Sequence, residues 1–364
     1  MLSTPTTFVI GAGASCDFNF PTGDGLQGRI AELLVTDGSP GYGQKIVNDR
    51  IWDAFQTIFL DAGTSWSTRA ANLSRAADSI RKGMPVAASI DNFLHTHQDD
   101  PDVILVGKLA IAAAILDAEA ASPLAVPKSS HRPLKADPLE NAKFAGSWYS
   151  SFVKMLTMGT RSSEPEALFG NARFIVFNYD RCFELVMLRA LVNYYGIGEQ
   201  DAADILSTVD IIHPYGSLGP LARTENYQVP FGYQSADLMR IAEGLKTFTE
   251  SIDTHVVDRA RKAIGEAHTL VFLGFGFLPQ NMELLTPDLS ERGAHRIHAT
   301  TYGISSSDKV VIANQLERFV SPNTNFLNMQ YAARSQDDGF IDVENGLCSD
   351  LIGNHRMRLM QELL

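Results

Sequence analysis

Five short runs in this chain are almost uninterruptedly apolar, and each stops at glycine or polar residues: "TFVI" (7–10), "RFIVF" (173–177), "VDIIH" (209–213), "HTLVFLGFGF" (268–277) and "HRIHATTYG" (295–303). A strand with one wet face alternates apolar and polar residues. A run that does not alternate reads as a strand covered on both faces, the habit of parallel sheets. Helical sequence follows the runs, as in "CFELVMLRALVNYY" after the second and "SSDKVVIANQLERF" after the fifth, where Ser305 to Ser307 offer caps. Strands alternating with helices predict an α/β fold built on a mostly parallel, doubly wound sheet. "TNFLNMQ" (324–330) predicts one more strand.

The first and second runs are separated by a long stretch that reads as helices: "GLQGRIAELLV", "IWDAFQTIFL", "ANLSRAADSIRKG", "PDVILVGKLAIAAAILDAEAA" and "NAKFAGSWYSSFVKMLTM". The pattern predicts a Rossmann-like nucleotide-binding domain from residues 1–24 and 171–335, a helical insert subdomain over 25–170, and a tail over 336–364 that ends in a helix. The 364 residues, 45% of them apolar, suffice for a large buried core. A net charge of -12 argues against gripping DNA backbone, so no direct nucleic-acid contact is expected. Cys16, Cys182 and Cys348 form no C-x-x-C pair, which leaves no cysteine zinc module and fits a reducing cytoplasm. The start "MLSTPTTF" lacks the basic and apolar regions of a signal peptide. The longest apolar stretch, Val103 to Leu116, is interrupted by Lys108 and is too short for a bilayer. A cytoplasmic protein without a membrane span is expected.

Chemistry in such a sheet belongs at the carboxyl ends of the strands. Those ends carry Gly11-Ala-Gly-Ala-Ser15, Asn178-Tyr-Asp180, His213-Pro-Tyr-Gly-Ser217 and Gly274-Phe-Gly276. Gly11 and Gly13 would let backbone N–H groups approach phosphate at a helix start. The dinucleotide fingerprint wants a third glycine at position 16, where this chain has Cys16. Alone, the loop is equally an ordinary strand-to-helix turn. "HPYGSLG" lacks the G-x-S-x-G order of a hydrolase elbow, because Tyr215 stands where glycine is needed. His95 and His97 have a spacing that could suit a metal, but no carboxylate or cysteine set completes it, and no metal is expected. Cys16 reads as a small packing residue.

Together, in this order, Gly-Ala-Gly-x-Ser, the Asn178/Asp180 pair, His213 followed by Gly216-Ser217, and a second glycine turn resemble the sirtuin-type NAD-binding fold. More narrowly the set resembles the zinc-free sirtuin-like NADases of bacterial antiviral defence, and "SIDNFL" (89–94) is similar to a segment of that group. The resemblance implies that Ala12, Gly13 and Ser15 line a pyrophosphate and ribose cradle, with Asp17 and Phe18 flanking the nicotinamide ribose. It gives Asn178 the attacking water or the ribose hydroxyls, Asp180 the nicotinamide pocket, and His213 the role of base at the ribose. Gly274, Phe275 and Gly276 would meet the adenosine side, with Ser217 and Asp91 also at the site. The implied activity is NAD+ glycohydrolysis, with NAD as substrate. The implied setting is defence by NAD depletion, gated by a homo-oligomer or by a partner such as a HerA-type ATPase or an Argonaute-like protein. The missing cysteine module and the insert argue against protein deacylation. A module that senses NAD or ADP-ribose without cutting it is the alternative. An NAD-linked dehydrogenase is disfavoured by Cys16 and by the absence of an obvious separate substrate domain.

Overall fold

The protein is described here by a computed structural model covering residues 2–38, 45–59, 65–126, 137–222, 227–234, 237–252, 255–287, 293–320 and 341–360. The strand expected at 324–330 lies outside the described residues. Eight strands are present among them: β1 (Thr6–Ile10), β2 (Thr36–Asp37), β3 (Lys45–Ile46), β4 (Ala172–Val176), β5 (Ile211–Ile212), β6 (Thr269–Leu273), β7 (Arg296–Thr300) and β8 (Ile341–Glu344). Six of them form one sheet in the order β5-β4-β1-β6-β7-β8, and every neighbouring pair is parallel. The expected α/β class and parallel sheet are therefore present. β1 lies at the centre, pairing Phe8 with Phe174 on one side and Val271 on the other.

The chain steps outward from β1 to β5 and then returns to β6 and steps outward the other way. Right-handed crossovers in opposite directions put helices on opposite faces. Helices Trp148–Thr157, Cys182–Tyr195 and Cys348–Met360 form one contacting group, and His255–Gly265 packs with Pro279–Leu285 in another. β1, β4 and β6 are buried almost throughout, which is why their sequences do not alternate. The order reverses between β1 and β6, and there a crevice opens at the carboxyl ends of the strands.

Within the segment expected as a tail, the described residues 341–360 supply a strand as well as a helix, because β8 extends the sheet beyond β7. Its sequence, Ile-Asp-Val-Glu, is half polar, as an edge strand's can be, and gives no continuous apolar run to detect. The helix beginning at Cys348 comes after it. The described residues between β1 and β4 are mainly helical, with the small β2–β3 hairpin among them. The run 141–158 divides into helices Ala142–Ala145 and Trp148–Thr157, because Ser147 caps the second by accepting from Ser150 N–H at 3.4 Å.

The long helix Pro101–Ala121 is the insert's spine. Asp100 caps it, accepting from the N–H groups of Asp102 at 3.1 Å and Val103 at 3.2 Å, and Pro101 opens its first turn. Ala110 and Ala112–Ala114 are buried, and small side chains let neighbouring helices come close. Glu119, in its last turn, is fully buried and forks onto Arg181, just past β4: Nε to Oε1 is 2.9 Å and Nη2 to Oε2 is 2.6 Å. Arg181 also donates to the carbonyls of Gly219, at 3.1 Å, and Val229, and Gly232 N–H donates to Glu119 at 3.0 Å. A bidentate pair with its remaining donors satisfied is how buried charge survives. The apolar core runs without a break from the sheet into the insert.

Removing one partner of this pair strands a charge out of water. Glu119→Ala should destabilise the fold by about 3–5 kcal/mol, read from the midpoint of urea unfolding. The double substitution Glu119→Leu with Arg181→Met should lose markedly less.

Candidate functional site

The crevice at the switch point is a cleft of about 570 Å³. Its wall draws on the ends of five strands of the sheet: Ala12 and Gly13 after β1, Asn178 to Asp180 after β4, Tyr215 after β5, Gly274 to Gly276 after β6, and Thr300 to Tyr302 at the end of β7. The four ends read from the sequence do converge on one rim.

The glycines there serve backbone contact first. Gly274 has a left-handed φ of 58°, and a Cβ on it would stand 2.2 Å from the Ala14 nitrogen. A Cβ on Gly11 would come within 2.6 Å of the Gly274 carbonyl oxygen. Gly13 N–H donates to that same oxygen at 3.0 Å. The two turns therefore touch each other, and only glycine fits. After Gly11 the chain enters a 3-10 helix, Ala12–Phe18, ended by Asn19 at a φ of 66°, and the first α-helix begins at Gly23. Position 16 thus lies in a 3-10 turn and not at the start of an α-helix, so the fingerprint's third glycine is not required there. Cys16 is exposed at the cleft rather than packed, which corrects the packing expectation. Although the residue is exposed, its sulfur turns back toward Ala12 O at 3.8 Å, and this partial burial, with Asp17 and Asp180 nearby, pushes its thiol up.

Behind the rim lies a small polar network. Asn178 Nδ2 donates to Ser15 Oγ at 3.1 Å, and Ser15 Oγ donates to Asp180 Oδ1 at 3.0 Å. The same oxygen accepts from Cys182 N–H at 3.0 Å, capping the helix Cys182–Tyr195. Asn178 Oδ1 is buried and has no hydrogen-bond partner. An amide held by its nitrogen, with its oxygen unpartnered at a cleft, is an acceptor ready for a ligand or water. Burial raises Asp180 to about 6, with the hydrogen bonds from Cys182 and Ser15 pulling the other way. Burial also raises Asp91, against the hydrogen bond that the Tyr179 hydroxyl gives it. Asp91 sits in the first turn of helix Ile90–Thr96, which Ser89 caps at 3.0 Å from Asn92 N–H; this is the "SIDNFL" segment. Among the described residues lining the cleft, Asp91 and Asp180 are the carboxylates, and no lysine, arginine or histidine accompanies them.

Of the residues singled out in the sequence, Ala12, Gly13, Asp91, Asn178, Asp180, Gly274, Phe275 and Gly276 line the cleft. Ser15 stands just behind, positioning Asn178 and Asp180. Asp17, Phe18, His213 and Ser217 do not line it. Asp17 Oδ2 accepts from Trp148 N–H at 3.2 Å, while the Trp148 indole donates to Ala14 O at 2.7 Å, so this pair fastens the glycine loop to a helix start. Phe18 is fully buried against Tyr149. His213 Nε2 lies 2.6 Å from Glu184 Oε1. Burial draws the His213 pKa down, but the charge and hydrogen bond of Glu184 outweigh it, and the net shift is upward. Because it does not line the cleft, His213 is out of place for the base role expected of it.

Tyr215, two residues on, faces the cleft instead, and its hydroxyl donates to Asn281 Oδ1 at 2.7 Å. Phe177 packs edge-on against both Tyr215 and Phe275, completing an aromatic wall. Thr300 Oγ1 accepts from Gly274 N–H at 2.8 Å and braces the second glycine turn. Gly346, Leu347 and Cys348 close the far side, where burial pushes the Cys348 thiol up to about 12. The rule that placed the other four strand ends applies equally to "HATTYG" and would have found Thr300 to Tyr302. The contribution of 346–348 carries no such signal.

No protein-family model and no curated protein sequence matches this chain.

The Asp180 charge has a cost that can be measured. Its value is near 6 in the fold and near 3.9 in an unfolded chain, so between those limits the fold binds more protons. Stability therefore falls as pH rises from about 4 to about 6, and the full penalty applies above. Asp180→Asn keeps the shape and removes the charge. It should raise stability at pH 7 by on the order of 1–3 kcal/mol, with the gain vanishing below about pH 4 in thermal melts across pH.

Proposed function

We propose that this cleft binds NAD+ and hydrolyses its nicotinamide–ribose bond, giving nicotinamide, ADP-ribose and a proton. The observation that carries the reading is the unpartnered Asn178 amide oxygen beside the buried Asp180 carboxylate at the switch point of a parallel sheet. The resemblance to zinc-free sirtuin-like NADases supplies the substrate, and the chemistry of the residues suits it.

Nicotinamide is cationic in NAD+ and leaves neutral, so its departure needs no general acid. Positive charge develops instead on the ribose, in an oxocarbenium-like transition state. Asp180 and Asp91 meet that charge with carboxylates in a partly dry cleft, where such an interaction is strong. Asn178 accepts a hydrogen bond from the attacking water and aims it at the anomeric carbon. Ser15 holds Asn178 and Asp180 in register. As the C–O bond forms, the water's proton passes to Asp180, whose value near 6 suits a base at neutral pH. The aromatic wall of Phe177, Tyr215 and Phe275 offers flat surfaces to the rings of the dinucleotide. His213, paired with Glu184, acts as a positioning residue behind the rim. In the setting the resemblance implies, the chain is a cytoplasmic NAD-depleting effector of antiviral defence. Assembly with itself or with a partner ATPase or Argonaute-like protein restrains it.

The location of His213 favours one second reading. A cleft without a histidine in its lining also suits a module that binds NAD or ADP-ribose and signals by changing its assembly.

Nicotinamide release from NAD+, measured with calorimetric binding on the same samples, separates the two. Asn178→Ala should bind NAD+ yet release nicotinamide about 100-fold more slowly, whereas His213→Gln should lose less than about tenfold. The wild-type rate should fall as pH drops through about 6, as Asp180 takes up its proton. Undiminished turnover by Asn178→Ala would remove that residue from the mechanism. Tight binding with no release, alone or with the partner, would favour the sensing module. No binding of NAD+ or ADP-ribose would end both readings.

A further inference from the structure

On the outer half of the sheet, three ligating side chains meet that the proposed reaction does not use. His298 comes from β7, Asp342 from the position paired with it on β8, and His355 from helix Cys348–Met360. Paired positions send their side chains to the same face. One donor atom from each of the three residues lies within 4.8 Å of the others. His298 is fully buried and His355 is 8% exposed, and their rings pack with centroids 4.0 Å apart.

The cluster is only partly satisfied. His298 Nε2 and His355 Nδ1 are buried with no hydrogen bond. His298 Nδ1 and Asp342 Oδ2 face each other as an ion pair at 3.0 Å. Buried polar groups are normally paired, and unpartnered imidazole nitrogens beside a carboxylate are what a missing cation would leave. The geometry points to a divalent transition-metal site of two imidazoles and one carboxylate, for an ion of the zinc, cobalt or nickel class.

The surroundings have the features such a site needs. His355 Nε2 is bonded to the Glu344 carboxylate, so Nδ1 is the nitrogen left to ligate. Asn354 Nδ2 holds the other Glu344 oxygen at 3.3 Å. A ligating histidine whose second nitrogen bonds a carboxylate is the usual outer-shell arrangement. Two nitrogens and one oxygen suit a borderline-soft divalent ion, with a fourth position for water. Ligand atoms around tetrahedral zinc stand about 3.4 Å apart, so a contraction of up to about 1.4 Å from the 4.8 Å span closes the cluster. The Asp342 side chain, 20% exposed, gives the ion a way in.

The site would act on the cleft from outside its lining. Thr300, which braces Gly274, is two residues from His298 on the same face of β7, about 7 Å along the strand. Residues 346–348 form a cleft wall just before the helix that carries His355. A bound ion would fasten β7, β8 and that helix together and fix this wall.

The test uses the full chain, stripped with chelator and titrated with Co2+ and then Zn2+. One Co2+ per chain should bind, with the visible bands of a four-coordinate N/O site, and Zn2+ should displace it and raise the Tm. Asp342→Asn and His355→Gln should each weaken Zn2+ binding at least about tenfold with unchanged circular dichroism, and Glu344→Gln by about 10–100-fold. A folded wild-type chain that leaves the Co2+ spectrum unchanged overturns the proposal. So does binding that both Asp342→Asn and His355→Gln leave intact.

Discussion

Gly274 can hold its left-handed backbone against Ala14 only because neither it nor Gly11 and Gly13 brings a side chain to the meeting point. The contact ties the carboxyl ends of β1 and β6 at the place where the sheet reverses direction. Every later feature of the cleft is measured from it. The turn after β1 sets Ser15 beneath Asn178 and Asp180, and the turn after β6 sets Phe275 against Phe177. Thr300 supports the second turn from β7, and the Trp148 indole supports the first from the insert. A pattern that looks like a phosphate fingerprint is, in the first instance, the packing requirement of two backbones.

Much of this frame was legible in the residues. Uninterrupted apolar runs announced buried parallel strands because both faces of β1, β4 and β6 are covered. β8 was not legible, since an edge strand of alternating character, Ile-Asp-Val-Glu, resembles any polar loop. Cleft residues could be read where a strand ends abruptly in a polar turn, as at Asn178. His213 and Tyr215 show where that reasoning fails. β5 stops at Ile212, a turn comes next, and the side chain that reaches the cleft is decided by that turn and by Glu184 on the neighbouring helix. The cluster of His298, Asp342 and His355 joins two strands and a helix, so no local spacing in the chain could announce it.

The cleft also departs from what stability alone would select. A carboxylate kept near 6 by burial and an amide oxygen without a partner are both unfavourable in a folded protein. The buried pair of Arg181 and Glu119 shows the contrasting case, in which each charge meets its partner. Unsatisfied groups at a strand-end cleft are the physical basis on which a candidate site is named there.

Asp180 and Arg181 are consecutive, and they face different tasks: one borders the cleft, the other is locked to the spine of the insert. A single peptide unit thus joins the cleft to a fully buried ion pair of the frame. Swinging the insert away from the sheet would mean pulling that pair apart out of reach of water, so the insert is a fixed jamb and not a door. The side of the cleft that abuts the insert is therefore set when the chain folds.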